Sequence, residues 1–582
     1  MVQQSVKQKV GKVGGVLTVS ALIVALFVLW GVLFPSSLRN ATDVGLAWMI
    51  KNFGWFYMLI TALFIFFVIA IAFSPYGKIR LGKENDQPSY SLPTWIGMIF
   101  AAGIGVGFVF WGVAEPVLYY MEPPFGYQPG TNESAIAGLR YGAYHWALHP
   151  WSIYALVGMT LAFVQYRKGL PALISSAFYP VLGDRVYGWI GKTIDILAVI
   201  ATCTGVATTF GMSAMQITGG LSHISSIPKT PFTQLIIISI VTVLFLFSAA
   251  RGLDRGIKVL SNINLIIAGF LLLFVIVTGP TLFIAESFVT TLGGYIANVI
   301  PMAFTLTPFS DSEWLGKNTI FFWAWHISWA PFMGWFIARI SRGRTIREFV
   351  AGVLIVPTLI AILWFTTFGG TGLYIELFGN GGLYELIHSH VELALFSMLA
   401  ELPFSAFMNV LAIVLIGIFF VTSADSASFV LASLTSNGTL NPSLNVKIVW
   451  GLLIAGSASV LLLSGGGGLQ ALQTASIIAA LPFAIILVFM AICIVVVLAK
   501  ERKEEIYDRV SREVYMEMKE DLYDSVKKEV YNDVKEKMYD EMKDELYDDV
   551  IDKVHDDMKD DMKKEILDEI HEEQQPKKTK DE

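Results

Sequence analysis

Long apolar runs set the pattern of this chain. They fall near 16–34, 55–73, 92–121, 141–167, 187–221, 231–250, 258–284, 316–341, 347–374, 403–434, 444–464 and 469–499, with polar stretches between them. Each run reaches about the 20 residues that a helix needs to cross a bilayer. The pattern predicts an all-α membrane protein with twelve transmembrane helices. One further stretch, Glu286–Pro301, is too mixed to span and reads as a helix lying along the outer surface. After residue 500 the pattern changes. From Ile506 to Ile570 every fourth residue is apolar, and Tyr507, Tyr515, Tyr523, Tyr531, Tyr539 and Tyr547 recur at every eighth position. That predicts one long helix. A step of four overshoots the turn by about 40°, so the stripe winds around the helix, and a repeat longer than 3.6 favours right-handed bundling.

Two runs carry helix breakers at membrane depth. Gly97–Gly112 reads GMIFAAGIGVGFVFWG, with Gly103, Gly105 and Gly107 two apart. Each costs about 1 kcal/mol against alanine in a helix, and the spacing is not the every-fourth seam of a close helix crossing. An unwound stretch with free carbonyls is predicted. Phe321–Gly334 reads FFWAWHISWAPFMG. Pro331 removes a backbone donor there, and Trp323, Trp325 and Trp329 are expected near one side of the helix. Bare backbone inside a membrane is tolerated only where protein buries it or it lines a wet cavity. The segment is therefore read as one wall of an aromatic box for a small organic cation or zwitterion. Two interrupted helices, the third and the eighth, suggest inverted five-helix repeats, 3–7 and 8–12, with a site where the breaks meet. The expected organisation is a cytoplasmic segment 1–16 and two extra helices in 17–91. A first repeat follows in 92–302, including the surface helix 286–302, then a second in 303–500 and a helical tail in 501–582.

Composition and charge sharpen this picture. The 582 residues are 54% apolar and 15% charged, with a mean hydropathy of +0.60, which excludes an ordinary soluble domain. The two cysteines, Cys203 and Cys493, lie in apolar runs and suggest neither a disulfide framework nor a metal site. Phosphate-loop, zinc and nucleophile-elbow motifs are missing, so no enzyme chemistry and no nucleic-acid partner is expected. The net charge of −7 is uneven, because residues 501–582 hold 17 basic and 30 acidic residues. Basic residues such as Lys78, Arg80, Lys83, Arg167, Lys168, Arg251, Arg255, Arg342, Arg344 and Arg347 gather on one side of the twelve-span layout. Arg39, Lys51, Arg140, Lys229 and Lys317 fall on the other. The positive-inside rule then places both termini in the cytoplasm of a cell-membrane protein. Glu115 and Asp425 are intramembrane carboxylates and functional by default.

Three stretches together resemble the betaine/choline/carnitine transporter family: GMIFAAGIGVGFVFWGVAEPVLY from Gly97, HWALHPWSIY from His145, and WHISWAPFMGWFIARISRGRTIREF from Trp325. The resemblance covers roughly residues 10–500. It implies the fold of sodium-coupled amino-acid transporters, a homotrimer in the lipid bilayer, and import of trimethylammonium-type osmolytes, in many members with Na⁺. The family's aromatic box maps onto Trp146, Trp151, Tyr154, Trp325 and Trp329, and onto His326, where a tryptophan is usual. Aromatic faces suit a quaternary ammonium, which has no hydrogen-bond donor, by cation–π attraction of up to about 2 kcal/mol per ring. His326 adds hydrogen-bonding nitrogens and makes a cyclic zwitterion such as ectoine an alternative to glycine betaine. In choline-specific relatives an Asp stands at the position of Gly107. Its absence implies a solute with its own carboxylate, which the backbone at Gly105 and Gly107 could approach. One sodium site maps onto Ala101, Ile104, Phe419, Thr422 and Ser423, neutral oxygens that suit Na⁺. A second maps onto Thr202 and Phe332, but its second threonine falls on Val206, with Thr204 or Thr208 as substitutes. Relatives use basic C-terminal segments in osmotic sensing; an acidic tail should be repelled by anionic lipid. Sodium-coupled import of a compatible solute is the expected function, with a sodium-independent exchanger or a membrane osmosensor as alternatives.

Overall fold

The computed structural model describes residues 14–541 apart from 104, 252–253, 310–312 and 465–467. The chain's basic start, Ile104 and the tail beyond 541 lie outside the described residues. The chain forms two units, 1–499 and 500–582. Without water to satisfy backbone groups, the apolar runs of the first unit close their hydrogen bonds within helices. In order these are α1 (Gly15–Leu33), α2 (Pro35–Phe73), α3 (Leu92–Gly103), α4 (Val106–Met121), α5 (Asn132–Trp146), α6 (Leu148–Ala162), α7 (Trp189–Ile224), α8 (Pro231–Arg251), α9 (Asp254–Thr278), α10 (Thr281–Phe304), α11 (Phe321–Ile340), α12 (Ile346–Trp364), α13 (Gly370–Phe378), α14 (Ser405–Thr435), α15 (Leu444–Leu463) and α16 (Leu469–Glu541). Strands are absent among the described residues.

Eleven of the described helical segments are long and apolar enough to cross a membrane. Ten coincide with expected spans, and the eleventh is α10, expected only as a surface helix. The run 92–121 is not one helix but two short ones, α3 and α4. They part at Gly105, whose backbone is extended (φ −130°, ψ −173°). The glycine-rich segment is therefore interrupted, as its composition predicts. The expected second interruption is absent: α11 runs unbroken through Pro331. A proline costs a helix one hydrogen bond, and here buried neighbours hold the segment in place. Ile327, Ala330, Pro331 and Met333 are all buried. The turn before α11, Gly316–Ile320, is widened into a π-helix.

Small residues let the central helices close on one another. A Cβ on Gly334 of α11 would stand 2.4 Å from Val157 Cγ1 of α6, and one on Gly205 of α7 would stand 2.8 Å from Trp329 Cδ1. The Thr208 hydroxyl of α7 meets Ser476 Oγ at 2.8 Å, and Ser328 Oγ of α11 donates to the Ser476 carbonyl (3.3 Å). A layer of α6, α7 and α11 results, with rings of α6 and α11 facing each other.

Beyond α11, residues 341–346 pair with the loop that follows α2. Leu81 N–H donates to the Arg344 carbonyl (2.8 Å), Gly343 N–H to Leu81 (2.9 Å) and Ile346 N–H to Ile79 (2.9 Å), around an antiparallel Arg80–Thr345 bridge. Arg342 pairs with Asp86 at 3.1 Å, and the Arg344 guanidinium lies 4.1 Å from the Trp95 ring centre. The Lys83 backbone N–H, then Arg342, hold the Asp86 carboxyl below the usual carboxylate range. In the second unit, taken by itself, the stripe residues Ile506, Val510, Val514, Met518, Leu522 and Val526 are all exposed.

Candidate functional site

The helix break and the α6/α11 face enclose one cavity. Gly105, Val106, Gly107, Phe108, Trp146, Pro150, Trp151, Tyr154, Thr209, Trp325, His326, Trp329 and Met333 line it. All eight expected solute-binding residues are among them. Its rings touch edge to face, the favoured contact for quadrupoles of this kind. Trp146 stands at 90° to Trp325 (centroids 5.6 Å apart) and at 87° to His326 (5.2 Å). Tyr154 meets His326 at 5.9 Å and Trp151 at 5.6 Å, while Trp325 meets Trp329 at 6.4 Å. The free space is about 40 Å³, room for roughly three waters. A solute with methyl groups must part these rings to enter.

The two glycines of the break do different work. A Cβ on Gly107 would stand 2.1 Å from Trp146 Cη2 and 3.0 Å from Trp325 Cη2. No side chain fits there while the rings meet. This steric demand accounts for Gly107 without reference to a missing counter-charge. At Gly105, which lines the cavity, a Cβ would meet no atom of the described residues within 4 Å.

Two expectations for the rings need correction. His326 lines the cavity with its ring, but both nitrogens are engaged by protein. Nε2 lies 3.0 Å from the His145 carbonyl and Nδ1 lies 2.7 Å from the Tyr154 hydroxyl. A carbonyl only accepts, so Nε2 carries the proton, and the neutral ring accepts the Tyr154 O–H at Nδ1. Nothing on that ring is left to bind a carboxylate or a ring N–H. Trp323 does not share the face of Trp325 and Trp329. It is fully buried behind the cavity, stacked on His149 (4.7 Å), and its N–H points to the sulfur of Met58 on α2 (3.2 Å). Two residues of helix correspond to about 200° of rotation.

Other lining residues were legible but not singled out. Met333 follows Trp329 by one helical step of four, Pro150 stands at the start of α6 just past the break at Ala147, and Phe108 follows Gly107. Thr209 sits one such step beyond Gly205 and donates back to its carbonyl (3.3 Å). One polar signal among the rings points to a ligand. Trp329 Nε1 is buried and without a partner among the described residues. A buried, unpaired N–H costs about 1–3 kcal/mol, which an anionic oxygen in the cavity would relieve.

The residues mapped to sodium are less assembled. Ile104 lies outside the described residues, and no side chain is described for Ala101. Thr422 Oγ1 donates within its own helix, 2.9 Å from the Ile418 carbonyl and 3.2 Å from that of Phe419. In the second set, Thr202 donates to Ala198 (2.8 Å) and Phe332 packs on Trp329 (5.4 Å). Thr208, the possible substitute, is engaged by Leu472 and Ser476, and Thr204 by its own helix.

Comparison with known proteins identifies a family. The family model described as BCCT, betaine/carnitine/choline family transporter, matches residues 15–503. The glycine betaine transporter OpuD of Bacillus subtilis (strain 168) is 47% identical over 485 residues, covering 83% of this chain and 94% of the relative. The ectoine/hydroxyectoine transporter of Virgibacillus pantothenticus is 43% identical, covering 84% and 97%. A probable glycine betaine transporter of Desulfitobacterium hafniense (strain Y51) is also 43% identical, covering 82% and 95%. Most of the acidic tail lies beyond the matched segment. The chain belongs to the betaine/carnitine/choline transporter family, and is a multi-pass membrane transporter rather than an enzyme.

Proposed function

We propose that this protein imports a zwitterionic osmolyte across the cell membrane, glycine betaine before ectoine, together with Na⁺. One observation carries the reading: a cage of aromatic faces beside a buried, unpartnered indole N–H at Trp329. The faces suit a methylated cation, and the N–H suits the carboxylate of the same molecule. The similar transporters named above for glycine betaine and for ectoine support the same solute class. The engaged nitrogens of His326 favour the solute without N–H groups. Sodium coupling rests on the resemblance at Phe419, Thr422 and Ser423. The back-bonded Thr422 hydroxyl favours, as the second reading, a sodium-independent exchanger. Both termini are assigned to the cytoplasm and the active form to a homotrimer, with the winding stripes of the tails bundled together.

Uptake into proteoliposomes separates the readings. Labelled glycine betaine and ectoine are offered with Na⁺ or K⁺ outside. The expected result is accumulation of glycine betaine with Na⁺ alone. Uptake that ignores the cation and needs internal solute assigns the exchanger instead. No accumulation of either solute sinks the solute assignment.

A further inference from the structure

The expected span 141–167 is not one continuous helix either. α5 ends at Trp146 and α6 begins at Leu148, with Ala147 between them at φ −93° and ψ −128°. Pro150 supplies the cause. It has no N–H for the Trp146 carbonyl one turn back, and its ring crowds that carbonyl. The cavity draws on both sides of this break: Trp146 closes α5, while Trp151 and Tyr154 follow on α6. In an unbroken helix Trp146 and Trp151, five residues apart, would point in directions about 140° apart.

A break also leaves backbone groups to satisfy. In a continuous helix the His145 carbonyl would take the N–H of residue 149, and the Leu148 N–H would go to the carbonyl of residue 144. Here each has a side chain from another helix. His326 of α11 donates its Nε2 proton to the His145 carbonyl (3.0 Å). The Leu148 N–H donates to the hydroxyl oxygen of Tyr295 on α10 (3.2 Å). Tyr295 is buried and lies outside the cavity lining. Ala147 gives α6 no side-chain cap, so Tyr295 caps that helix from 147 residues away. Between these two bonds Glu115 of α4, completely buried, anchors the Trp146 ring. Trp146 Nε1 donates to Glu115 Oε1 (2.9 Å), and Oε2 lies 2.7 Å from His145 Nδ1.

We infer that Tyr295 and His326 are positioning residues: they hold the two sides of the break at Ala147, and so set Trp146 against Trp151 and Tyr154 around the solute. The inference rests on the solute reading above. It gives the His326 nitrogens a task in the backbone of α5. It also ties α10, none of whose residues line the cavity, to the geometry of the ring cage. Without the Tyr295 oxygen the first N–H of α6 loses its partner, and the start of the helix that carries Trp151 and Tyr154 loosens.

The test is amide hydrogen exchange and glycine betaine binding on the full-length protein in nanodiscs. Tyr295→Phe keeps the ring and deletes the capping oxygen. Amides in the peptide 145–152 should exchange about fivefold faster, and the glycine betaine Kd should rise about fivefold. Thr131→Ala is the comparison. It removes the cap at the other end of α5, where Thr131 Oγ1 accepts from the Ser134 N–H (3.2 Å). A cap lost there costs similar stability, yet should move neither the exchange at 145–152 nor the Kd by more than about twofold. His326→Phe covers the case in which Tyr295→Phe does not fold. It keeps a ring, deletes the donor to the His145 carbonyl, and should again speed that exchange and weaken binding by about fivefold or more. Unchanged exchange at 145–152 or an unchanged Kd in the folded variant overturns the inference, as does a Thr131→Ala that weakens binding as much as Tyr295→Phe. Wild type that binds no glycine betaine overturns the solute reading instead, and the exchange rates, which need no solute, then decide the inference.

Discussion

Two segments build the cavity, and both carry residues that end helices. Around Gly105 the helix does end, with extended backbone between α3 and α4. Around Pro331 it does not. The difference lies in what surrounds each breaker. Pro331 takes away one hydrogen bond from a helix held between α6 and α7 by close glycine contacts, and membrane helices tolerate such losses where neighbours bury the site. The glycine segment loses helix preference at several positions at once, and the Trp146 ring fills the space a side chain at Gly107 would need. A breaker thus marks a broken helix only where packing does not hold the backbone. One marks a ring's seat instead.

Substitutions can break or sharpen this contrast. The largest effect is expected at Gly107→Ala, whose methyl overlaps Trp146. Overpacking of this kind costs about 1–3 kcal/mol, so glycine betaine affinity should drop about tenfold to a hundredfold in a protein that still folds. Wild-type affinity there would remove the ring-seat argument. Next comes Trp329→Phe, which keeps a ring and deletes the unpartnered N–H. An about tenfold rise in Kd is expected for solutes with a carboxylate, and little change for choline, which has none. An equal loss for both would deny the N–H its carboxylate. Smaller still is Pro331→Ala. The helix is already continuous, so thermal stability should shift by less than about 1 kcal/mol, without loss of uptake. A collapse of transport would show that the proline acts in a state other than this one. Gly105→Ala should do least, with uptake within about twofold of wild type, because its backbone angles are open to any residue and its Cβ would meet none of the described residues.

Much of this was readable from the chain because membranes make strict demands. Apolar length alone locates ten of the expected spans, and the tryptophan-rich and glycine-rich segments point to the cavity that they do line. What could not be read follows from rotation and from partners distant in sequence. Trp323 faces α2 because of its angle on α11. The nitrogens of His326 are engaged by a carbonyl on α5 and a hydroxyl on α6, 181 and 172 residues away. Glu115 stood out only as a buried acid; its pairing with His145 and Trp146 exists because α4 packs along α5. α10 is 24 residues long with Glu286 its one charge, and its scattered polar and small residues hid a span from the sequence pattern.

The strap between residues 79–81 and 343–346 carries a mechanical consequence. It joins the end of the box-bearing helix to the chain just past the N-terminal pair through three backbone hydrogen bonds. In alternating access one group of helices swings against another, and parts fastened this way travel as a unit. The hinge must therefore lie elsewhere, with α2's exit loop and α11 on the same side of it. A disulfide formed between Arg80→Cys and Thr345→Cys should leave the transport cycle turning at the rate of the reduced double variant; a lock that reversibly stalls uptake would put the hinge through the strap itself.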